Sequence, residues 1–297
     1  MPVMEIYYLC NSGFTLEIGE DAYIFDYYKG RLEKPWRIPL DKQPSSYRNV
    51  YVFASHIHGD HYNRIIFDWL AERADIRYIL SDDIRSVVPA ELIRNSANGG
   101  YSIDFIENGG HLRMASGSRD KEGDGGRGKG KDRGKGKDRD KGKDLEPDLD
   151  LEPSLDLEPG LDIHAYGSTD AGVSFHITTR EGTSIFHAGD LNYWHWRDES
   201  TDEEVSEAYS MFKRELEKIK HGIKKIDVSF FPVDPRMGSD YYRGAVLFCE
   251  AMRPGLLVPM HFSSVFAPPQ GFFAEISAYT NVIHVGPEPG KLDLAHK

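Results

Sequence analysis

Two cysteines in 297 residues leave no room for a disulfide framework. Cys10 and Cys249 lie far apart, each in an apolar context, and read as buried free thiols of a reducing compartment. Nothing approaches the length of a transmembrane helix, and residues 1–13 lack a basic segment followed by an apolar run. A soluble cytoplasmic protein is expected. An excess of positive charge is also missing: 36 Lys and Arg against 48 Asp and Glu give a net charge of −12. That argues against general binding to nucleic acid or to acidic membranes.

What is present is an ordinary globular composition, long enough for a large buried core. Strand patterns run over 5–10, 14–18 and 22–27, separated by short turns, and again over 49–54, 76–80, 101–106 and 111–114. Helical spacing of Ile65, Ile66, Trp69 and Leu70 predicts a helix over about 64–73. Tyr27, Tyr28 and Trp36 fall in a loop that either walls a pocket or anchors itself.

Composition then changes sharply. Residues 116–144 are Gly, Lys, Arg and Asp without apolar periodicity, and the unit Asp-Leu-Glu-Pro-x-Leu begins at Asp144, Asp150 and Asp156. Such a stretch cannot bury enough apolar surface to offset its ordering entropy. A disordered insertion at about 116–160 within one 1–297 domain is expected. No aromatics interleave its basic residues, which weakens a single-strand-binding role.

The globular pattern resumes with strands over 161–167, 172–178 and 183–187, a helix over 203–220 and a strand over 227–233. A helix ending at Met252, a strand over 256–259, a helix over 273–279 and a strand over 282–285 complete the chain.

One stretch carries chemistry. Ser55-His56-Ile57-His58-Gly59-Asp60-His61 follows the strand over 49–54. Imidazole and carboxylate suit a borderline-soft divalent cation. His56 and His58, two apart, point the same way on extended backbone, and Gly59 lets the chain turn to aim Asp60 and His61 elsewhere. One loop can therefore serve two adjacent metals.

This H-x-H-x-D-H stretch resembles the signature of the metallo-β-lactamase superfamily. Within it, the chain looks most like the metal-dependent hydrolases related to ascorbate-phosphate lactonases. The resemblance implies an α/β (α+β) fold: a four-layer αββα sandwich of two mixed sheets with helices outside. It implies that Asp190, in Ala188-Gly189-Asp190, bridges two metals and that His261 is the last ligand. Asp60, His61, Asp190 and His261 would hold the better-defined ion, and His56 and His58, with Asp190, a second. The cofactor would be one or two divalent ions, zinc first, manganese or iron also admissible. Asp60 would be the catalytic carboxylate, taking a proton or orienting the nucleophile, and Asp26 would either support the site from behind or simply turn the chain at the end of its strand.

The chain departs from that pattern at Ser168, where the resemblance implies a third histidine. His164 is a candidate substitute; His111 lies outside any ligand spacing; His176 and His284 read as structural. His187 is placed to orient the site. Trp194, His195 and Arg236 are candidates for substrate binding, Arg236 against an anionic group or, alternatively, in an ion pair with Asp234.

The function so implied is a metal-dependent hydrolase of an ester, lactone or related bond in a small, potentially anionic substrate. Two alternatives stand beside it: a phosphodiesterase or nuclease of the same fold, and a non-catalytic metal-binding protein whose site has degraded, as Ser168 would permit. A homo-oligomer stays open. If the insertion is only a surface loop, deleting residues 116–159 leaves turnover nearly unchanged in a steady-state assay; a large loss would tie the segment to function.

Overall fold

A computed structural model describes residues 3–28, 37–114, 160–262 and 270–294. The insertion, the end of the chain and Trp36 lie outside the described residues. Two seven-stranded sheets face each other. The first runs, in spatial order, β14 (Gly290–Lys291), β1 (Met4–Cys10), β2 (Gly13–Ile18), β3 (Asp21–Phe25), β4 (Asn49–Ala54), β5 (Arg77–Ser81) and β6 (Ser102–Ile106). The second runs β13 (Asn281–Val282), β12 (Leu256–Met260), β11 (Val228–Pro232), β10 (Ser184–His187), β9 (Val173–Thr178), β8 (Leu161–Gly167) and β7 (His111–Met114). Each sheet is antiparallel on one side and parallel on the other, the change falling at β3–β4 and at β10–β11.

Strand periodicity assigns each side chain to a layer. On β11, Phe230 points inward, its ring 4.7 Å from Phe14 of the facing sheet. Its neighbour Phe231 points outward, 4.6 Å from Phe248 of α3 (Arg243–Met252) and 6.2 Å from Phe212 of α2 (Asp202–Gly222). On β4, Tyr51 and Phe53 join the core between the sheets, while Val50, Val52 and Ala54 pack outward against Ile66, Trp69 and Ile84. Strands covered on both faces read as the continuous apolar runs that the sequence shows.

Local differences from expectation have local causes. The segment Arg64–Ala71 is a 3-10 helix, capped by Asn63 accepting from the Ile65 amide. Three residues per turn stack Ile66 over Trp69 against the sheet. Thr201 and Glu204 form a reciprocal capping box, so α2 starts a residue earlier than apolar spacing indicated. The short helices α1 (Ala90–Ser96) and α4 (Gln270–Ile276) and the two-residue strand β14 carry little periodicity of their own. Tyr27 packs edge-on against Trp69, 4.8 Å away, and so anchors its loop. Among the described residues, no helix is long and apolar enough to cross a membrane.

The parallel strands aim their carboxyl ends at one rim. Asp26 follows β3, the His loop follows β4, Asp190 follows β10, Asp234 follows β11 and His261 follows β12. Residues far apart in sequence therefore meet there.

Candidate metal centre

The His loop is built on a tight turn: the amides of His61 and Tyr62 both donate to the His58 carbonyl, at 3.0 and 2.8 Å. Two glycines let other strands reach it. Gly172 has φ +64°, and a Cβ there would stand 2.0 Å from the Ser55 carbonyl oxygen. Gly189 has φ +54°, and its Cβ would meet Ser55 Cβ and the Val173 carbonyl at 2.8 Å. Only glycine allows both approaches. His261 itself sits at φ +68° and Asp26 at φ +40°, unusual values that turn the chain at the strand ends and are held there by packing and hydrogen bonds.

Asp190 is the centre of the cluster. His56 Nε2 lies 3.3 Å from Asp190 Oδ2, while His61 Nε2 and His261 Nε2 lie 3.0 and 3.3 Å from Oδ1. Asp60 Oδ2 is 3.7 Å from His61 Nε2 and 3.8 Å from His261 Nε2. Donor atoms fall into two groups, each within 4.8 Å: His56, His58 and Asp190; and Asp60, His61 and His261. His58 is exposed at the mouth, and His56, His61 and His261 are buried.

The remote nitrogens of these rings are tied down. Asp26 accepts from His61 Nδ1, from the Ser55 amide and from Ser55 Oγ, each at 2.7 Å. Asp234 accepts from His261 Nδ1 at 2.9 Å and also holds the Arg236 guanidinium. Ser55 Oγ lies 3.0 Å from His56 Nδ1. Each carboxylate places a proton on Nδ1 and so turns Nε2 toward the shared space, the arrangement by which ligating histidines are oriented.

Electrostatics follow from this packing. Burial would raise the Asp190 pKa, but His61 and His56 outweigh it and hold the group well below the carboxylate range. The same contest lowers Asp26, with His187 and His61 prevailing over burial. Burial also opposes the low pKa of Asp234, yet bonds from His261 and Arg236 bring it down to about 2. His61 goes the other way: burial disfavours its charged form, but Asp190 and Asp26 push its pKa up to about 10.

Four buried atoms of the cluster have no hydrogen-bond partner: His56 Nε2, His61 Nε2, His261 Nε2 and Asp190 Oδ1. Buried polar atoms are rarely left so. These four converge, and nitrogen with carboxylate oxygen is the donor set of a divalent transition metal, so the residues fit such an ion.

A cavity of about 430 Å³ opens over the cluster, floored by His58, Asp60, Asp190 and His261. Trp194, Trp196, Thr169, Asp170 and Arg236 wall it. Trp194 donates from Nε1 to the Asp190 carbonyl at 2.9 Å, and its ring lies 5.6 Å from that of His261. Arg236 reaches the wall and is also paired with Asp234.

His195 is not brought into the cavity lining. Its Nε2 donates to the Asp240 carbonyl at 3.2 Å and its Nδ1 accepts from the Arg197 amide at 3.0 Å, which ties two loops together. Ser168 also stays out of the lining: its Oγ accepts from the Asp170 amide at 3.2 Å, and Thr169 and Asp170 face the cavity in its place. His164 does not replace the absent histidine; it pairs with His111 in the middle of β8. His187 is buried, donating to the Ser12 carbonyl and accepting from the Gly189 amide, so it steadies the turn that presents Asp190. Asn11, whose Nδ2 donates to Asp60 Oδ2 at 3.0 Å, escaped sequence reasoning, as did the role of Asp234 behind His261. Both sit just after a strand, the one signal they carry.

No family model and no curated protein matches this chain. Among solved structures it is similar to Igni18, a metallo hydrolase from the hyperthermophilic archaeon Ignicoccus hospitalis. That match has a TM-score of 0.55 and 17% identity, covering 98% of this chain and 99% of the other. It is also similar to CmlA, a diiron β-hydroxylase from Streptomyces venezuelae, with a TM-score of 0.52 and 10% identity over 99% of this chain and 55% of that one. The likeness is one of fold. The two mixed seven-stranded sheets with helices outside form an αββα sandwich.

Asp26→Ala leaves the Ser55 amide and His61 Nδ1 unpaired in a buried site. It is expected to cost about 3–5 kcal/mol, read as a lower urea midpoint, with Asp26→Asn costing less.

Proposed function

We propose that this chain is a metal-dependent hydrolase acting on an ester, lactone or related bond of a small substrate. The observation that carries the reading is the convergence of the four partnerless buried atoms beneath an open cavity. His56, His58 and Asp190 would hold one divalent ion, and Asp60, His61 and His261 another, with Asp190 between them. Zinc suits the imidazoles best, and the carboxylates admit manganese or iron. When bound, such an ion supplies Lewis acidity, which acidifies water and polarises the oxygen of a scissile bond.

The chain's own residues do the rest. Asp26 and Asp234 keep Nδ1 of His61 and His261 protonated, so that Nε2 presents its lone pair. Asp60, its Oδ2 held by Asn11 and its side chain 39% exposed at the cavity floor, takes the proton of the attacking water. Trp194 and Trp196 cover the apolar part of a substrate and exclude solvent, while Arg236 meets an anionic group. A kinship with ascorbate-phosphate lactonases rests on the sequence resemblance alone.

Two outcomes are expected. His58→Ala, at an exposed position, lowers kcat by at least about 100-fold on whichever ester, lactone, thioester, β-lactam or phosphodiester is turned over, with an unchanged circular-dichroism spectrum. Turnover of phosphodiesters alone would overturn the ester and lactone assignment. Metal uptake also has a proton signature. His61, with its pKa near 10, carries a proton at pH 7 in the metal-free protein and must lose it to ligate. Zinc binding at pH 7 should release about one proton or more, seen as calorimetric enthalpies that vary with the ionisation enthalpy of the buffer. Affinity then falls as pH is lowered; buffer-independent enthalpies would refute the ligand role of His61.

A further inference from the structure

A second group of side chains able to ligate a metal lies away from the rim, at the His111 end of the β7–β8 ladder, on the edge of the second sheet among the described residues. His111 on β7 and His164 on β8 are direct cross-strand partners, and Asp162 precedes His164 by two residues, on the same face. Leu161, Ile163 and Ala165, at the alternate positions of β8, face the core, so Asp162 and His164 face outward. Their donor atoms, with that of His111, all lie within 4.8 Å of one another. Both Nε2 atoms approach a single oxygen, Asp162 Oδ1, at 2.5 Å from His111 and 3.3 Å from His164. The rings are parallel within 7° and 4.0 Å apart, so their nitrogens point the same way.

We propose that His111, Asp162 and His164 form a separate surface site for a divalent transition metal, zinc in the first instance. Two imidazoles and one carboxylate select zinc, nickel or copper over magnesium or calcium. The geometry is close to what is required. Zinc bonds of ~2.0–2.1 Å in a tetrahedron set neighbouring ligand atoms about 3.4 Å apart. The 3.3 Å contact already matches that spacing, and the 2.5 Å contact has to open by less than 1 Å. The side chains of His111 and His164 are 43% and 41% exposed, so an ion has access and the rings have room to adjust. Three protein ligands leave further positions to water.

The neighbours define what competes. Arg113 reaches the other oxygen, Asp162 Oδ2, at 3.1 Å; it is 72% exposed and can keep that oxygen or swing away. His176, the next ring in the row at 6.2 Å from His164, is engaged through Nε2 with Ser184 Oγ and stays out of the ligand set. The physical consequence is local. β7 has four residues, pairs on one side only among the described residues, and is followed directly by residues 115–159. A cation shared by β7 and β8 would clamp that short edge strand and stabilise the native state by mass action.

The test is metal stoichiometry on the full-length chain. Protein stripped with chelator is dialysed against micromolar free zinc and analysed for metal, alongside His111→Gln/His164→Gln and Asp162→Asn. Wild type should bind one equivalent more than either variant. A variant altered only in the rim cluster, His56→Ala/His58→Ala, should keep that equivalent. Cobalt substitution should give visible absorption in the rim variant, and the His111→Gln/His164→Gln change should remove the part that one equivalent contributes. Equal stoichiometry in wild type and the two surface variants would overturn the site. Metal lost on the surface changes with none retained at the rim would uphold it and count instead against the hydrolase reading.

Discussion

The molecule is organised around a cost. Three imidazole nitrogens and a carboxylate oxygen, all removed from water, face one another without hydrogen-bond partners. Each such atom costs about 1–3 kcal/mol when left unsatisfied, so the arrangement persists only because surrounding structure forces it. The forcing is visible in Asp26 and Asp234, which fix the back of two rings, and in the Ser55 hydroxyl behind a third. A cation removes the cost by giving these atoms a partner, once His61 has released its proton. The stability of the rim and its chemistry are therefore the same interaction viewed from two sides.

The sandwich is what makes that crowding affordable to the fold. Phe14, Phe25, Phe53, Phe175 and Phe230 fill the space between the sheets and lock their relative position. His187 joins this stack, its ring parallel to Phe25 at 5.0 Å, while its two nitrogens bind backbone on either side. Core packing thus passes directly into the turn that carries Asp190. At Gly172 and Gly189, contact between loops is so close that no side chain fits, which leaves the ligands little freedom to drift.

Around the cluster, charge is arranged by role. Asp190 and Asp26 are held as anions by histidine, and Asp234 by His261 and Arg236 together. Arg236 is consequently both a brace for His261, acting through Asp234, and part of the cavity wall. Asp170 and Thr169 occupy the wall where the sequence resemblance implied histidine at the neighbouring Ser168. The loss of that imidazole leaves one group with the exposed His58, buried His56 and Asp190, and the other group with Asp60 and two buried rings.

Much was legible in the sequence alone. The near-continuous apolar runs of β3 and β4, the dense spacing of His56, His58, Asp60 and His61, and the Gly-Asp after a strand all encode short-range geometry, which depends on the local chain. The 3-10 turn at Arg64–Ala71, the strand β14 and the withdrawal of His195 were not legible, because propensities there are weak and distant contacts decide. Nor could spacing show that Asp234 stands behind His261, that Asn11 holds Asp60, or that His111 and His164 stack across a strand pair. Residue type and local order determined which groups are able to ligate; the packing of two sheets decided which of them meet, since convergence across hundreds of residues is set by the core between the sheets and by no local rule.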